Sequence, residues 1–187
     1  TIASCTKVAR HMHLAVQSGS NRILKEMNRH YTVEEYLAIL DYARAVVPDI
    51  FFTSDIIVGF PGETEQDFEA TVELIKKARF YSIFSFIYSK RAGTRAAEMP
   101  DDTPHKLKAE RLNYLNEIQR QITEELETQL IGTRQKALCL GVLPDGRYEY
   151  RLSNNAEVTV DMEGTKNEFY TIEISDYINR RLYGKGV

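Results

Sequence analysis

A carboxylate inside an apolar stretch is the first feature of the sequence that could do chemistry. Asp55 stands within TSDIIV (residues 53–58), and the chain then passes through a glycine-rich turn, GFPG (59–62), into a helical sequence. Burying a carboxylate without a partner is costly, so such a group is paired, protonated or bound to a ligand. The residues alone leave two interpretations open for Asp55: a structural ion pair and a ligand-binding group.

The glycine-rich turn raises the question of phosphate binding. Backbone N–H groups at the start of a helix attract anions, and glycine-rich turns between strand and helix often hold phosphates. GFPG lacks the Gly-Lys-Ser/Thr ending of a nucleoside-triphosphate loop, and Pro61 removes one N–H donor. The sequence therefore argues against a phosphate loop of that type.

Further candidates follow or precede other predicted strands. In parallel α/β sheets, ligands bind at the carboxyl ends of the strands, so Gln17 and the turn at 59–62 would lie on the same rim. Arg29 lies between two helical stretches and could reach that rim. Residues 18–20 are interpreted as an ordinary turn between strand and helix.

Two other features can be interpreted as purely structural as well as functional. Arg91 belongs to a cationic loop, YSKRAGTR (88–95), that could contact phosphate oxygens or simply be solvated. His11 and His13 alternate on one strand, without a nearby pattern of cysteines or carboxylates. They are interpreted as histidines that lie in the core or support a site, not as metal ligands.

The elements that must position these residues alternate between two periodicities. Segments 11–16, 50–60 and 80–88 have the composition of strands, and the second, uninterrupted by turn residues, predicts a strand covered on both faces. Helical patterns follow the first two strands, with caps at Thr32 and Thr64. This alternation predicts parallel βαβ units, either in a doubly wound sheet or in part of a barrel.

The character of the sequence changes at Pro104. A long helix is predicted from there to about residue 130, with apolar residues every three or four positions. The two expected domains are therefore 1–130 and 131–187. The second should be a small closed or nearly closed barrel. Its predicted strands occupy the segments 135–143, 147–152, 156–162 and 168–175.

Composition limits the class of protein. The chain has 187 residues, of which 43% are hydrophobic, and a formal net charge of −3. We expect no membrane span, and the distant cysteines Cys5 and Cys139 favour a reducing, cytoplasmic setting. The missing initiator Met indicates a processed chain or a fragment. The β-rich segment 131–187 has eight basic and eight acidic residues, so RNA binding there would depend on how they segregate.

Three motifs together resemble a known family. HMHLAVQSGSNRILKEMNRHYTVEEY, DIIVGFPGETEQDF and FIYSKRAGTRAAEM are similar to the radical SAM methylthiotransferases, above all to the branch that modifies isopentenyladenosine beside the anticodon of tRNA. The resemblance implies an α/β fold, a partial TIM-type barrel of parallel strands with outer helices. A small all-β TRAM barrel, implicated in tRNA binding, follows it in this family.

The resemblance also implies binding sites. Related enzymes hold S-adenosylmethionine with a Gln, an Arg and an Asp, whose positions match Gln17, Arg29 and Asp55. A Glu of the wider superfamily motif is displaced by one residue to Glu63, which makes Glu63 a doubtful ligand. The candidate substrate contacts are Arg91, retained from the third motif, and the barrel residues Arg147 and Arg151.

Iron–sulfur chemistry is implied by the family but has no ligands here. Its members use one 4Fe–4S cluster, held by a Cys-x-x-x-Cys-x-x-Cys loop, to cleave S-adenosylmethionine, and a second cluster for sulfur delivery. Neither cysteine set is present, so the chain corresponds to the C-terminal half of the radical domain plus TRAM, contains no identifiable catalytic residue or metal ligand and should be inactive alone. The implied partners are tRNA, the N-terminal half and an electron donor such as flavodoxin or ferredoxin.

Other functions stay open at this point. Within the same chemistry, the substrate could be threonylcarbamoyladenosine tRNA or an aspartate of a ribosomal protein. In a different class, the chain could be a non-catalytic RNA-binding module with the α/β half as its scaffold. In the blandest interpretation it is an inert scaffold in which Asp55 is merely ion-paired.

Overall fold

The computed structural model describes residues 2–5 and 7–187. Contacts between Cα atoms divide these residues into two compact units. The α/β unit contains Met12–Pro48 and Phe52–Ile122. The barrel unit contains Asp49–Phe51, Thr123–Val187 and the described residues up to His11. The domain boundary expected near residue 130 remains a prediction.

A three-stranded sheet forms the centre of the α/β unit. Its strands are β1 (His11–His13), β2 (Phe51–Val58) and β3 (Ser82–Ile87), in the order β1-β2-β3. The pair β2–β3 is parallel, which confirms the predicted parallel sheet. The first strand is shorter than predicted, because the Val16 N–H donates to the side chain of Ser54 (3.0 Å) where a continuing ladder would supply a carbonyl.

Helices connect and follow these strands. Two of them begin at the predicted caps: Thr32 and Glu35 form a full capping box on α2, and Thr64 and Asp67 form another on α3. Each box satisfies backbone N–H groups that a helix start leaves unpaired. The helices are α1 (Asn21–Glu26), α2 (Val33–Val46), α3 (Glu65–Ala78), α4 (Arg95–Glu98) and α5 (His105–Thr128).

The two faces of β2 differ in exposure. Phe52 and Ile56 on one face are fully buried. On the other face Asp55 is half-buried, and it pairs in register with Phe84 of β3, which is 52% exposed. The prediction that both faces are covered is therefore wrong for the described chain, because the helices pack on the Phe52 side, where the Arg44 guanidinium of α2 lies over the Phe52 ring.

The barrel unit contains a closed barrel, as predicted, but with five strands instead of the four expected. The strand order is β4-β5-β6-β8-β7, and the β6–β8 pair is parallel. Inward-facing aliphatic and aromatic residues such as Tyr150, Ile172 and Ile174 are fully buried. The strands are β4 (Arg134–Val142), β5 (Tyr148–Leu152), β6 (Glu157–Val160), β7 (Phe169–Ile178) and β8 (Arg181–Gly186).

Sequence reasoning missed the last strand. β8 has the sequence RLYGKG, whose charges and glycines hide its alternation. It follows β7 after a two-residue turn, in which Asn179 and Arg180 both have left-handed backbone angles (φ 51° and 63°). That is the pattern of a type I′ hairpin, but with Arg in the place where Gly is the usual signal. Among the described residues, no helix is long and apolar enough to cross a membrane.

Candidate functional site

The sheet brings Gln17 and Asp55 together, although they are far apart in the sequence. The Gln17 N–H donates to the Asp55 carbonyl (2.9 Å), and the Gln17 carbonyl accepts from the Ile57 N–H (2.9 Å). Gln17 thus extends the sheet beyond β1 through a parallel bridge with Ile56. Its left-handed backbone (φ 74°) ends the strand at that point. Two of the three residues predicted to hold S-adenosylmethionine are therefore adjacent.

Asp55 lies on the open face of the sheet with a histidine beside it. The Asp55 side chain is 32% exposed, and its Oδ2 lies 3.5 Å from His13 Nε2. The other ring nitrogen of His13 is hydrogen-bonded to Thr53 Oγ1 (3.0 Å), and the ring contacts the edge of Phe84. This carboxylate can accept hydrogen bonds from the hydroxyls of a ligand, and an aromatic surface lies beside it. His13 accordingly supports a candidate site residue, one of the two roles predicted for it.

Arg29 is placed near the same strand end through Tyr31. The Tyr31 hydroxyl donates to the carbonyls of Ala15 and Val16, directly before Gln17. Burial raises the pKa of Tyr31, and the positive charge of Arg29 acts on it in the opposite direction. The Arg29 backbone is fixed by its N–H donating to Leu24 (2.8 Å), whereas its side chain is exposed. The guanidinium is thus free to pair with an anionic ligand group.

Glu63 is a structural residue of the turn that follows β2. Its side chain is only 1% exposed; Oε2 accepts from the Gly59 N–H (2.8 Å) and lies 3.0 Å from Nη1 of Arg111 on α5. Burial raises the pKa of Glu63, against the lowering effect of the Gly59 N–H and the Arg111 charge. These contacts explain why a carboxylate can be buried at position 63, where the sequence indicated only a doubtful ligand.

A second buried ion pair lies against the same turn. Lys108 Nζ contacts the carboxylate of Asp101 (2.7 Å), and both side chains are largely buried. The alkyl part of Lys108 packs on Gly59, where a Cβ would come within 2.5 Å of it. Gly59 also has a left-handed backbone (φ 67°), so glycine is required here for two reasons. The turn is held by α5, and its Gly59 N–H is already bonded to the Glu63 carboxylate.

Asp67 connects the loop that follows β1, at Ser20, with the turn that follows β2, at Thr64. Its carboxylate accepts from Ser20 Oγ (2.6 Å) and from the N–H and hydroxyl of Thr64, and it pairs with the guanidinium of Arg22. Arg22 also donates to the Gly62 carbonyl (2.7 Å). Burial alone would raise the pKa of Asp67, but hydrogen bonds from Arg22, Ser20 and Thr64 outweigh it and hold this pKa well below its ordinary range.

The stability of the α/β unit should depend on the charge of Asp67. Because its pKa is depressed by folding, the contribution is present above its ordinary pKa of about 4 and is lost as the pH falls below that. Asp67→Asn should lower the free energy of unfolding by about 2 kcal/mol at pH 7. Urea unfolding followed by circular dichroism measures this loss, which should shrink between about pH 4 and pH 2. Glu69→Gln, an exposed change on the same helix, is the control, and an equal loss at both pH values would contradict the assignment.

The structure does not join the remaining predicted residues to Gln17, Arg29 and Asp55. Arg91 is exposed in a turn, where its carbonyl accepts from the Thr94 hydroxyl (2.8 Å). No contact in the described part of the chain links it to the other three. Its predicted role in substrate binding stays a prediction.

Both predicted arginines of the barrel are ion-paired. Arg147 Nη2 lies 2.5 Å from Asp145, and its guanidinium also lies over the Tyr183 ring. Arg151 Nη2 lies 2.5 Å from Glu157 on the neighbouring strand β6. Each positive charge thus has one carboxylate opposite it.

Metal-binding residues are not concentrated anywhere in the described residues, which contain no group of three or more His, Cys, Asp or Glu that could hold a metal ion. Cys5 and Cys139 are both free thiols. No pattern in the sequence indicates the His13–Asp55 contact or the buried partners of Glu63 and Asp101, because each contact joins residues from different elements. Only the apolar surroundings of Asp55 indicated that it needed a partner.

Comparison with known proteins gives a consistent result. Residues 3–75 match the radical SAM superfamily. A tRNA-2-methylthio-N(6)-dimethylallyladenosine synthase from Thermoanaerobacter pseudethanolicus is 52% identical over 75% of this chain and 30% of its own length. One of the same name from Neisseria gonorrhoeae is 44% identical over 96% of this chain and 41% of its own length. The chain thus spans well under half the length of these relatives.

A solved structure was also found. Coproporphyrinogen III oxidase (HemN) from Escherichia coli, a radical SAM enzyme, covers 66% of this chain and 28% of its own, with 22% identity and a TM-score of 0.44. That likeness is too weak to support an argument. The sequence comparisons agree with the resemblance carried by the three motifs: the chain is similar to the radical SAM superfamily over residues 3–75 and, over most of its length, to methylthiotransferases of that superfamily.

Proposed function

We propose that this chain is the C-terminal part of a radical SAM enzyme that adds a methylthio group to a modified adenosine beside the anticodon of tRNA. The observation that carries the proposal is the pairing of Gln17 with Asp55 at the open sheet face. In this proposal the α/β unit is part of a TIM-type barrel, and the closed barrel is a TRAM domain. The name of the relatives, tRNA-2-methylthio-N(6)-dimethylallyladenosine synthase, favours this substrate over the alternatives.

The residues of the open sheet face fit S-adenosylmethionine. The half-exposed Asp55 carboxylate has the acceptors for the two ribose hydroxyls, and the exposed Phe84 ring beside it offers an apolar surface to the adenine. Arg29 can pair with the methionine carboxylate, since a guanidinium suits carboxylates in geometry and charge. Gln17, which is 8% exposed next to Asp55 on the sheet, has an amide that can both donate and accept.

His13 and the rim contacts give this site its order. His13, itself hydrogen-bonded to Thr53, restricts the Asp55 carboxylate, and the backbone bonds of Gln17 fix where the Gln17 side chain begins. Asp67 ties the loop at Ser20 to α3, and Glu63 ties the turn after β2 to Arg111 of α5. A site with fixed ligands loses less entropy when it binds.

The 4Fe–4S clusters do not fit residues of this chain. Clusters of this kind are ligated by thiolates, and Cys5 and Cys139 are too few. In the complete enzyme proposed here, a cluster held by residues outside this chain would supply the electron for cleavage of S-adenosylmethionine, and an external donor would have to reduce it. This chain contributes the binding of the nucleoside and amino-acid parts of that cofactor.

Asp55→Ala in the complete, cluster-loaded protein should reduce 5′-deoxyadenosine production by roughly 10- to 100-fold at limiting S-adenosylmethionine. The expected size is the loss of a hydrogen bond to a charged group, about 1.5–3 kcal/mol. Chromatography of the quenched reaction measures the product.

The matched control is Glu69→Ala, which removes an exposed carboxylate of α3 and should leave production unchanged. Unchanged production in Asp55→Ala would remove Asp55 from the cofactor site. Loss of activity in both variants would mean that net charge, and not this contact, is responsible.

A further inference from the structure

Three adjacent strands of the closed barrel share a surface with unusual chemistry. β7 lies between β4 and β8, and outward-facing residues align across them: Arg134 opposite Glu173, and Glu173 opposite Lys185. The next row contains Lys136, and the row after it ends at Phe169. We call this surface the β4–β7–β8 face, formed by Arg134, Lys136, Phe169, Glu173 and Lys185.

Cations outnumber carboxylates on the β4–β7–β8 face. Glu173 is shared, with its two oxygens 3.1 Å from Arg134 Nε and 3.0 Å from Lys185 Nζ. Lys136 has no carboxylate partner among the described residues. Three positive charges therefore face one negative charge, which leaves a local surplus of two although the barrel segment as a whole is balanced.

An exposed aromatic ring lies within this surplus. Phe169 is 61% exposed at the start of β7. Lys136 Nζ lies 4.6 Å from the centre of its ring. A base can stack on an exposed ring whatever its sequence, and cations beside the ring then meet the phosphates of the same strand. The base of a nucleotide can thus stack on Phe169, and its phosphate can contact the neighbouring cations.

The arginines predicted from the sequence have a different setting. Arg147 and Arg151 are not among the residues that form this face, although the Arg147 guanidinium lies over the Tyr183 ring of β8, and each is neutralised by its own carboxylate, Asp145 or Glu157. To contact a phosphate, either arginine would have to share or leave that partner. Charge complementarity therefore favours the β4–β7–β8 face.

We propose that the β4–β7–β8 face is the RNA-binding surface of the barrel, with Phe169 stacking on an unpaired base. Lys136, together with the two cations that share Glu173, contacts the phosphates on either side. This inference rests on the proposed function for its tRNA substrate and goes beyond it by choosing the surface. It replaces Arg147 and Arg151 as the main contacts.

Fluorescence anisotropy of the 187-residue chain with a labelled tRNA transcript, over a series of KCl concentrations, tests the proposal. Phe169→Ala should weaken binding by roughly 5- to 100-fold, the range for loss of one stacked base, whereas Phe169→Trp should retain affinity. Lys136→Ala should reduce the slope of log affinity against log salt by about 1.

Two changes on the same barrel are matched controls. Ile178→Ala removes an exposed apolar side chain (51% exposed) from the other end of β7. Arg151→Ala removes one positive charge from a neutralised pair. Ile178→Ala should leave affinity and salt slope unchanged, and Arg151→Ala should weaken binding less than Lys136→Ala does. Circular dichroism of every variant should show the wild-type spectrum.

Unchanged affinity in both Phe169→Ala and Lys136→Ala, with wild-type binding intact, would overturn the choice of surface and leave the proposed function standing. A larger loss from Arg151→Ala than from Lys136→Ala would also overturn it. Wild-type binding that is absent or insensitive to salt would exclude this face as a phosphate-binding surface. The cofactor site is judged separately by deoxyadenosine production in Asp55→Ala.

Discussion

Arg111→Met is expected to lower the free energy of unfolding of the α/β unit by about 3–5 kcal/mol, because it leaves the carboxylate of Glu63 buried without its countercharge. Glu63 is 1% exposed and keeps only the Gly59 N–H as a described hydrogen-bond donor after this change. Methionine keeps an apolar side chain beside the Phe68 ring, over which the Arg111 guanidinium lies. Urea unfolding followed by circular dichroism at 222 nm measures the loss.

The charge on Glu63 separates this explanation from simple loss of packing. Glu63→Gln combined with Arg111→Met should recover most of the stability, since a neutral amide can still accept from Gly59. The deficit of Arg111→Met should also shrink as the pH falls, because a protonated Glu63 needs no countercharge. Lys106→Met, an exposed change on the same helix, should change stability by less than about 0.5 kcal/mol. A double variant no more stable than Arg111→Met would contradict the proposed cause.

Gly19→Ala should destabilise the α/β unit by about 3 kcal/mol, at the upper end of the usual range for overpacking. A Cβ at Gly19 would overlap the carbonyl oxygen of Ala70 and the Cα of Thr71 on α3, and backbone atoms cannot rotate away. The loop would have to separate from α3 and lose the hydrogen bond from the Gly19 N–H to Thr71 Oγ1 (2.9 Å). The same unfolding measurement applies.

Gly93→Ala is the matched control for this effect. Gly93 has a left-handed backbone (φ 80°) in the same unit, but nothing lies within 4 Å of its missing Cβ. The cost there should be only that of the backbone angle, about 1 kcal/mol. Equal losses in the two variants would mean that the contact with α3 is not what makes Gly19 necessary.

Local signals in the sequence were reliable guides to the fold. Each of these signals depends on residues only a few positions apart: the capping boxes at Thr32 and Thr64, and the apolar period of α3. Helices α2 and α3 accordingly begin where predicted. The turn before β8 was missed because Arg180 adopts a left-handed angle that usually indicates glycine or asparagine. Periodicity alone cannot reveal a strand whose outward positions are charged and whose inward positions include glycine.

Long-range polar pairs could not be predicted in the same way. Arg111 and Lys108 look like ordinary members of the polar face of a long helix, yet both are nearly fully buried against the turn after β2. Which polar residues of a helix are buried depends on where the helix packs against the rest of the fold, and no local pattern determines that position. The position of Gln17 beside Asp55 was foreseen only from the rule that parallel strands share a carboxyl edge and from family resemblance.

The place of β8 in the barrel has a consequence for synthesis of the chain. This last strand is inserted between β6 and β7, so the ring cannot close until residues 181–186 have left the ribosome. Until then β6 and β7 each have an unpaired edge, the kind of edge that recruits other strands. The helices of the α/β unit, whose caps and apolar faces are local, can form much earlier in translation. The barrel segment, before β8 has been synthesised, is therefore the part of the nascent chain whose exposed strand edges most need protection by a chaperone.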